Sequence, residues 1–420
     1  MNIGIIQFPG TNCQRETALA VSRAGMKPSQ LLWHTCEADV SSMDGYVIAG
    51  GFSYEDRGRS GIIAAQDPMM KILCREALKG KPIIGICNGA QILLESGMVP
   101  GLSGIEGPPE AALTTNRRIK EGKVVGTGYY NTWSTLLVSP GGARRVFTSR
   151  FTEGECITVP IAHGEGRFLF PEETARMLTE RDMVPFRYAD ESGTPRDEFP
   201  VNPNGSMLQA AGITNREGTI LALMPHPERT IDGDRIFQSM AGYIRGGITP
   251  IDPSPVMERT QYPPLETYEP SEASMALVIR QIITDNEAIS VESAVTGLGI
   301  STTLQRRIHW EIQFEPDTPD QRRRELMEII HASGELYNSN KEQQSPPSPR
   351  DGAVQLLIRE REDPRGMHSR QSLVSRFGCR EIKSIKRGIL WSVRGDVQGV
   401  LDSHILMNPH AYKGYSYENR

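Results

Sequence analysis

Residues 81–91, KPIIGICNGAQ, constrain the fold of this chain more than any other stretch. Ile83-Ile84-Gly85-Ile86 is an apolar run too short for a helix and bounded by turn residues. It predicts a strand buried on both faces of a parallel sheet. The run ends in Cys87, and Ala90, Gln91, Ile92, Leu93, Leu94 and Met98 then follow amphipathic-helix spacing. Gly85 and Gly89 stand two residues either side of the cysteine. That layout suits a tight strand-to-helix turn holding a reactive side chain above the sheet edge. A Cβ at either glycine is expected to collide with a neighbouring strand or helix. The thiol would also stand at a helix N-terminus, where the dipole favours a thiolate. A buried structural cysteine is the plainer alternative. The paired glycines and the polar Asn88-Gly89 make Cys87 the candidate nucleophile.

Further strands are expected at about 2–8, 30–34, 45–51, 156–162 and 219–224, with helices at about 14–24, 68–78 and 234–245. This alternation predicts an α/β fold, a doubly wound and mainly parallel sheet, over residues 1–248. Ligands of such sheets bind at the C-terminal strand ends, where Gly50-Gly51 and Cys87 both fall.

Residues 249–274 hold a proline-rich stretch, with six prolines between Pro250 and Pro270, and read as a semi-rigid linker. A second break, QQSPPSP, separates residues 275–342 from 353–420, with 343–352 as linker. The two pieces resemble each other. Leu277-Val-Ile-Arg280 returns as Leu356-Leu-Ile-Arg359 and Ile308-His-Trp310 as Ile389-Leu-Trp391. Each piece reads strand, helix, strand, strand, helix, so two small α+β units in tandem are expected. Such units, each with an unpaired edge, are expected to pair within one chain.

Composition narrows the function classes. Lys plus Arg number 46 against 51 Asp plus Glu, a net charge of −5, which suits neither a nucleic-acid partner nor an anionic membrane. Six scattered cysteines, with no CxxC pair, fit a reduced cytoplasmic protein without a metal site. No signal peptide and no membrane-spanning run are expected.

Three pieces are expected to converge on Cys87. His226-Pro-Glu228 follows the strand at 219–224; a thiolate needs a base that takes its proton and later returns it to the leaving amine, and a carboxylate can fix the imidazole tautomer. An isolated His and Glu near a strand end would ordinarily be an unremarkable loop. Backbone N–H groups at Gly50, Gly51 and Phe52, with that of Asn88, suit an oxyanion hole, although a glycine pair alone is often only a turn. Gln91, one helical turn past the cysteine, can pair with an amide substrate, or is simply a solvated helix residue.

GICNGAQ, GGFSYEDRGR and MPHPER together resemble the class I (triad) glutamine amidotransferases. FPGTNC, PIAHGEGRF and NPNGS resemble, within them, the glutaminase subunits of phosphoribosylformylglycinamidine synthase. The resemblance covers roughly residues 1–245. It implies Cys87 as nucleophile, His226 and Glu228 as triad partners, L-glutamine as substrate and a glutamyl-thioester intermediate. It implies no cofactor in this chain, ammonia going to a large synthetase subunit that carries ATP and Mg. Glu55 replaces the family's usual glycine, which bears on the loop after Gly51. The tandem units are similar to the small bridging subunit of the same synthase. Two other readings compete: an amidotransferase serving another acceptor, and a scaffold with a regulatory C-terminal binding module. No GxxxxGK[ST] loop is present.

Overall fold

A computed structural model describes residues 1–139, 145–251, 265–345 and 352–418. The chain divides into two compact units, residues 1–260 and 261–420.

The first unit is built on a nine-stranded sheet. In chain order its elements are β1 (Asn2–Gln7), α1 (Gln14–Arg23), β2 (Lys27–Leu32), β3 (Gly45–Ile48), α2 (Pro68–Leu78), β4 (Ile83–Ile86) and α3 (Asn88–Glu95), then β5 (Tyr130–Val138), β6 (Cys156–His163), β7 (Phe186–Ala189), β8 (Ala210–Thr214), β9 (Ile220–Leu223) and α4 (Asp234–Gly246). The sheet order is β2-β1-β3-β4-β9-β8-β7-β5-β6. The five strands from β2 to β9 are parallel, and the four beyond them are antiparallel. β3, β4 and β9 are buried along their whole length, as runs without a charged side chain allow. α2 starts where its residues dictate: Asp67 caps it by accepting from the Met69 N–H at 2.9 Å, and Pro68 takes the first turn.

Chain order and sheet order together position the site. From β1 the chain goes to β2 on one side, then returns to β3, β4 and β9 on the other. The loops after β1, β3, β4 and β9 therefore leave the same edge of the sheet around the point where strand order reverses.

The second unit contains β10 (Glu266–Thr267), β11 (Ser274–Gln281), α5 (Asn286–Gly297), β12 (Thr302–Phe314), α6 (Asp320–Ser333), β13 (Glu342–Gln344), β14 (Val354–Glu360), α7 (Pro364–Phe377), β15 (Ile382–Gly395), α8 (Val397–Asp402) and β16 (Tyr412–Ser416). Each repeat runs strand, helix, strand, helix, strand: the two adjacent strands expected from sequence are one strand of 13 or 14 residues. All seven strands form one sheet, β10-β16-β14-β15-β12-β11-β13. The two copies join through the antiparallel pair β12 and β15. Repeat-equivalent residues Ile308 and Ile389 face each other there, and the pairs Trp310–Arg387 and Arg306–Trp391 are exchanged by the same local two-fold. One core spans both copies, with Trp310, Phe314 and Ile330 of the first packed with Leu373, Ile382 and Ile385 of the second.

Of the two stretches expected as linkers, residues 252–264 and 346–351 lie outside the described residues. The flanks differ from expectation: Glu266–Thr267 pairs with Tyr415–Ser416, and Glu342–Gln344 pairs with Ile279–Gln281.

Candidate active site

β4 delivers Cys87 to the sheet edge, where its N–H donates to the Leu223 carbonyl on β9 at 2.8 Å. Cys87 then adopts φ +51°, ψ −106°, a left-handed conformation rarely tolerated with a side chain, and α3 begins at Asn88. Its carbonyl is taken by the Ala90 and Gln91 N–H groups. The glycines are required for the reason their spacing suggests. A Cβ on Gly85 would run into the Gly89 carbonyl, and one on Gly89 into the Ile48 carbonyl of β3. The turn thus packs against its neighbours with no room to relax, and the thiol is held at the mouth of a cavity of about 330 Å³.

His226 follows β9, anchored by its N–H donating to the Pro160 carbonyl at 2.8 Å. His226 Nδ1 lies 2.7 Å from Glu228 Oε1, and both residues are buried. Burial alone would push the imidazole toward its neutral form. The Glu228 carboxylate and the nearby thiols of Cys87 and Cys13 outweigh it, and the pKa of His226 stands well above the ordinary value. Among the described residues, Glu228 Oε2 has no hydrogen-bond partner.

The other expected residues are placed with two differences. Among the described residues, neither the Gly51 nor the Asn88 N–H has an acceptor, and Gly51 lines the cavity. The Gly50 carbonyl accepts from the Asn12 and Cys13 N–H groups, which pins the β3 end to the β1 loop. The Phe52 N–H donates to the Gly10 carbonyl at 3.0 Å, so it is spent on the fold; the exposed Phe52 ring lines the cavity instead. Gln91 also lines the cavity, but its carboxamide is engaged. Its Nε2 donates to the Glu165 carbonyl at 2.7 Å, and its Oε1 accepts from Asn88 Nδ2 at 2.9 Å. These bonds brace α3 against the His163–Gly166 turn. Asn88 Oδ1 accepts from the Ser53 N–H at 2.9 Å and ties in the loop after Gly51.

Ten cavity residues have no role in the sequence reading, Cys13, Asp56, His163 and Glu165 among them. His163 ends β6, a position that could have signalled it, and Cys13 stands immediately before α1. Burial, and the charge of His226, lower the His163 pKa to about 3, so the ring is neutral; it lies 3.2 Å from both amide atoms of Asn116. Burial and the Glu165 charge raise the Asp56 carboxyl to about 7. Asp56 is held by three successive left-handed residues, Tyr54, Glu55 and Asp56, at φ +51°, +57° and +53°. Glu55 therefore occupies a conformation that glycine adopts without strain. Behind this loop Arg59 and Glu95 form a buried ion pair at 2.7 Å. A thiol, an imidazole and the Gly51 backbone at one cavity, with a carboxylate behind the imidazole and the Asn88 amide next in the chain to the thiol, are the parts an acyl transfer needs.

Residues 1–239, more than half of the chain, match the model of the CobB/CobQ-like glutamine amidotransferase domain. The chain belongs to that amidotransferase family. The phosphoribosylformylglycinamidine synthase subunit PurQ of Methanothrix thermoacetophila is 43% identical over 261 residues, covering 58% of this chain and 98% of that protein. PurQ of Chlorobium chlorochromatii is 39% identical over 254 residues, with 59% and 98% covered. A chain of the PurLQS structure from Thermotoga maritima is 31% identical with a TM-score of 0.45, covering 58% of this chain and 98% of that one. The parallel part of the amidotransferase sheet carries every residue named above as candidate nucleophile, base or oxyanion donor. Among the described residues, no helix of this amidotransferase is long and apolar enough to cross a membrane.

Proposed function

We propose that the chain is the glutaminase component of phosphoribosylformylglycinamidine synthase, working through a Cys87 thioester. Family membership and the PurQ relatives support the glutaminase reading. The observation that carries the residue assignment is the 2.7 Å contact of His226 Nδ1 with Glu228, on a ring that also adjoins the Cys87 thiol. The Cys87 sulfur attacks the side-chain carbonyl carbon of L-glutamine, and the Gly51 and Asn88 N–H groups receive the developing oxyanion. His226 gives its proton to the leaving nitrogen, so ammonia departs and a glutamyl thioester remains. His226 then takes a proton from the attacking water, and glutamate leaves. Asp56 and Glu165 give the cavity an acidic end that complements the substrate's α-ammonium group.

The ammonia goes to a separate synthetase subunit, which binds ATP, Mg and formylglycinamide ribonucleotide and forms formylglycinamidine ribonucleotide. The second unit, a two-fold pair of similar copies in one sheet, serves as the bridge to that subunit. The six free cysteines suit the reducing cytoplasm.

Rapid acid quenching of the chain with glutamine, followed by peptide mass analysis, tests the chemistry. The expected result is a glutamyl adduct, glutamine minus ammonia, on the peptide carrying Cys87. An adduct on another residue would overturn the assignment.

A further inference from the structure

Cys13 closes the FPGTNC segment, and acyl transfer leaves it without a part. The residue is 2% exposed and lies beside the imidazole. Its Sγ, a ring nitrogen of His226 and a carboxylate oxygen of Glu228 all lie within 4.8 Å of one another. Glu228 Oε2 is buried with no hydrogen-bond partner among the described residues, a costly state for an anionic oxygen unless something else takes its lone pairs. Thiolate, imidazole and carboxylate make up the donor set of tetrahedral zinc, with a fourth position left for water.

We propose that Cys13, His226 and Glu228 form a binding site for a thiophilic divalent cation of the Zn²⁺ class, and that its occupation stops glutamine hydrolysis. The second half rests on the reading of His226 as the proton carrier. Binding releases the Cys13 thiol proton to solvent as the sulfur–metal bond forms, and it displaces the proton that His226 retains. Glu228 lies at Nδ1, so the shared metal takes that nitrogen; the ring then holds a single proton, on Nε2, and cannot take another from the attacking water. Arg229 opposes the cation. Its Nη2 donates to Cys13 Sγ at 3.3 Å, and its Nε lies 3.9 Å from Glu228 Oε1. The Arg229 side chain is 36% exposed, so it can swing into solvent. Mg²⁺, which demands an octahedron of oxygens, does not suit this donor set.

Co²⁺ titrated into the full chain is the probe. The expected result is a thiolate-to-cobalt charge-transfer band that saturates at one ion per chain and is displaced by Zn²⁺ but not by Mg²⁺. The band should vanish in both Cys13→Ala and the nearly isosteric Cys13→Ser, persist in Cys87→Ala, and form at lower Co²⁺ in Arg229→Ala. In glutamine hydrolysis, Cys13→Ser should raise the Zn²⁺ concentration for half-inhibition by about tenfold or more. A band that survives Cys13→Ser, one abolished by Cys87→Ala, or no band at saturating Co²⁺ would overturn the site. Zn²⁺ displacing Co²⁺ while hydrolysis continues unabated would overturn the inhibitory half, whereas the proton-carrier role of His226 is tested separately by the rate of His226→Ala.

Discussion

His226 and Glu228 are separated by a single residue, Pro227, yet their side chains meet at 2.7 Å in a turn with almost no access to water. The carboxylate acts on the ring and handles no proton of the substrate. His226→Ala should therefore lower glutamine hydrolysis by roughly 10²–10⁴, and Glu228→Gln, which keeps an acceptor for Nδ1, should lower it less. Steady-state rates of the two variants with glutamine check the order. A larger loss in Glu228→Gln would reverse the assigned roles.

Gly89 backs onto the β3 carbonyl of Ile48 so closely that a Cβ has no place. Gly89→Ala should destabilise the first unit by about 1–3 kcal/mol or more, the usual scale of overpacking. Urea unfolding followed by tryptophan fluorescence measures it. A change under about 0.5 kcal/mol, as at an ordinary surface site, would mean that the elbow can relax.

Asp56 links stability to pH. Its carboxyl rises from an ordinary 3.8 to about 7 on folding, through burial and then the Glu165 charge. The folded state thus holds more proton than the unfolded chain between those values, so this group's contribution to stability falls as pH rises through that window. Asp56→Asn should gain thermal stability relative to the parent as pH goes from 4 to 7. Melting curves of both proteins across that range test the sign, and a constant difference would contradict it.

Ile308 opposite Ile389 predicts how the second unit behaves alone. With the two copies paired and sharing one core, residues 265–420 should sediment as a monomer and still bind the synthetase. A dimer would indicate pairing between chains, and a monomer without affinity would remove the bridging role.

Much of this was legible in the residues. The runs Ile83–Ile86 and Ile220–Leu223 have no reading but buried strand, and Asp67-Pro68 marks the start of α2 to the residue. β2 was harder to read: KPSQLL lies at the sheet edge with only Leu31 buried, so its start at Lys27 left no apolar pattern. The shape of the elbow around Cys87 and the His226–Glu228 contact could be anticipated because each is local. Phe52 and Gln91 could not, since their polar groups are taken by Gly10 and Glu165, partners distant in sequence. The same holds for Cys13 beside His226, a contact made only when the ends of β1 and β9 come together.

The central claim is that Cys87 serves glutamine hydrolysis and nothing else. The direct measurement is synthesis of formylglycinamidine ribonucleotide by the complex of this chain with its synthetase, comparing Cys87→Ala with the parent under glutamine and under ammonium. The account predicts that the variant loses glutamine-driven synthesis and retains the ammonium-driven rate. Glutamine-driven synthesis persisting in the variant would contradict it.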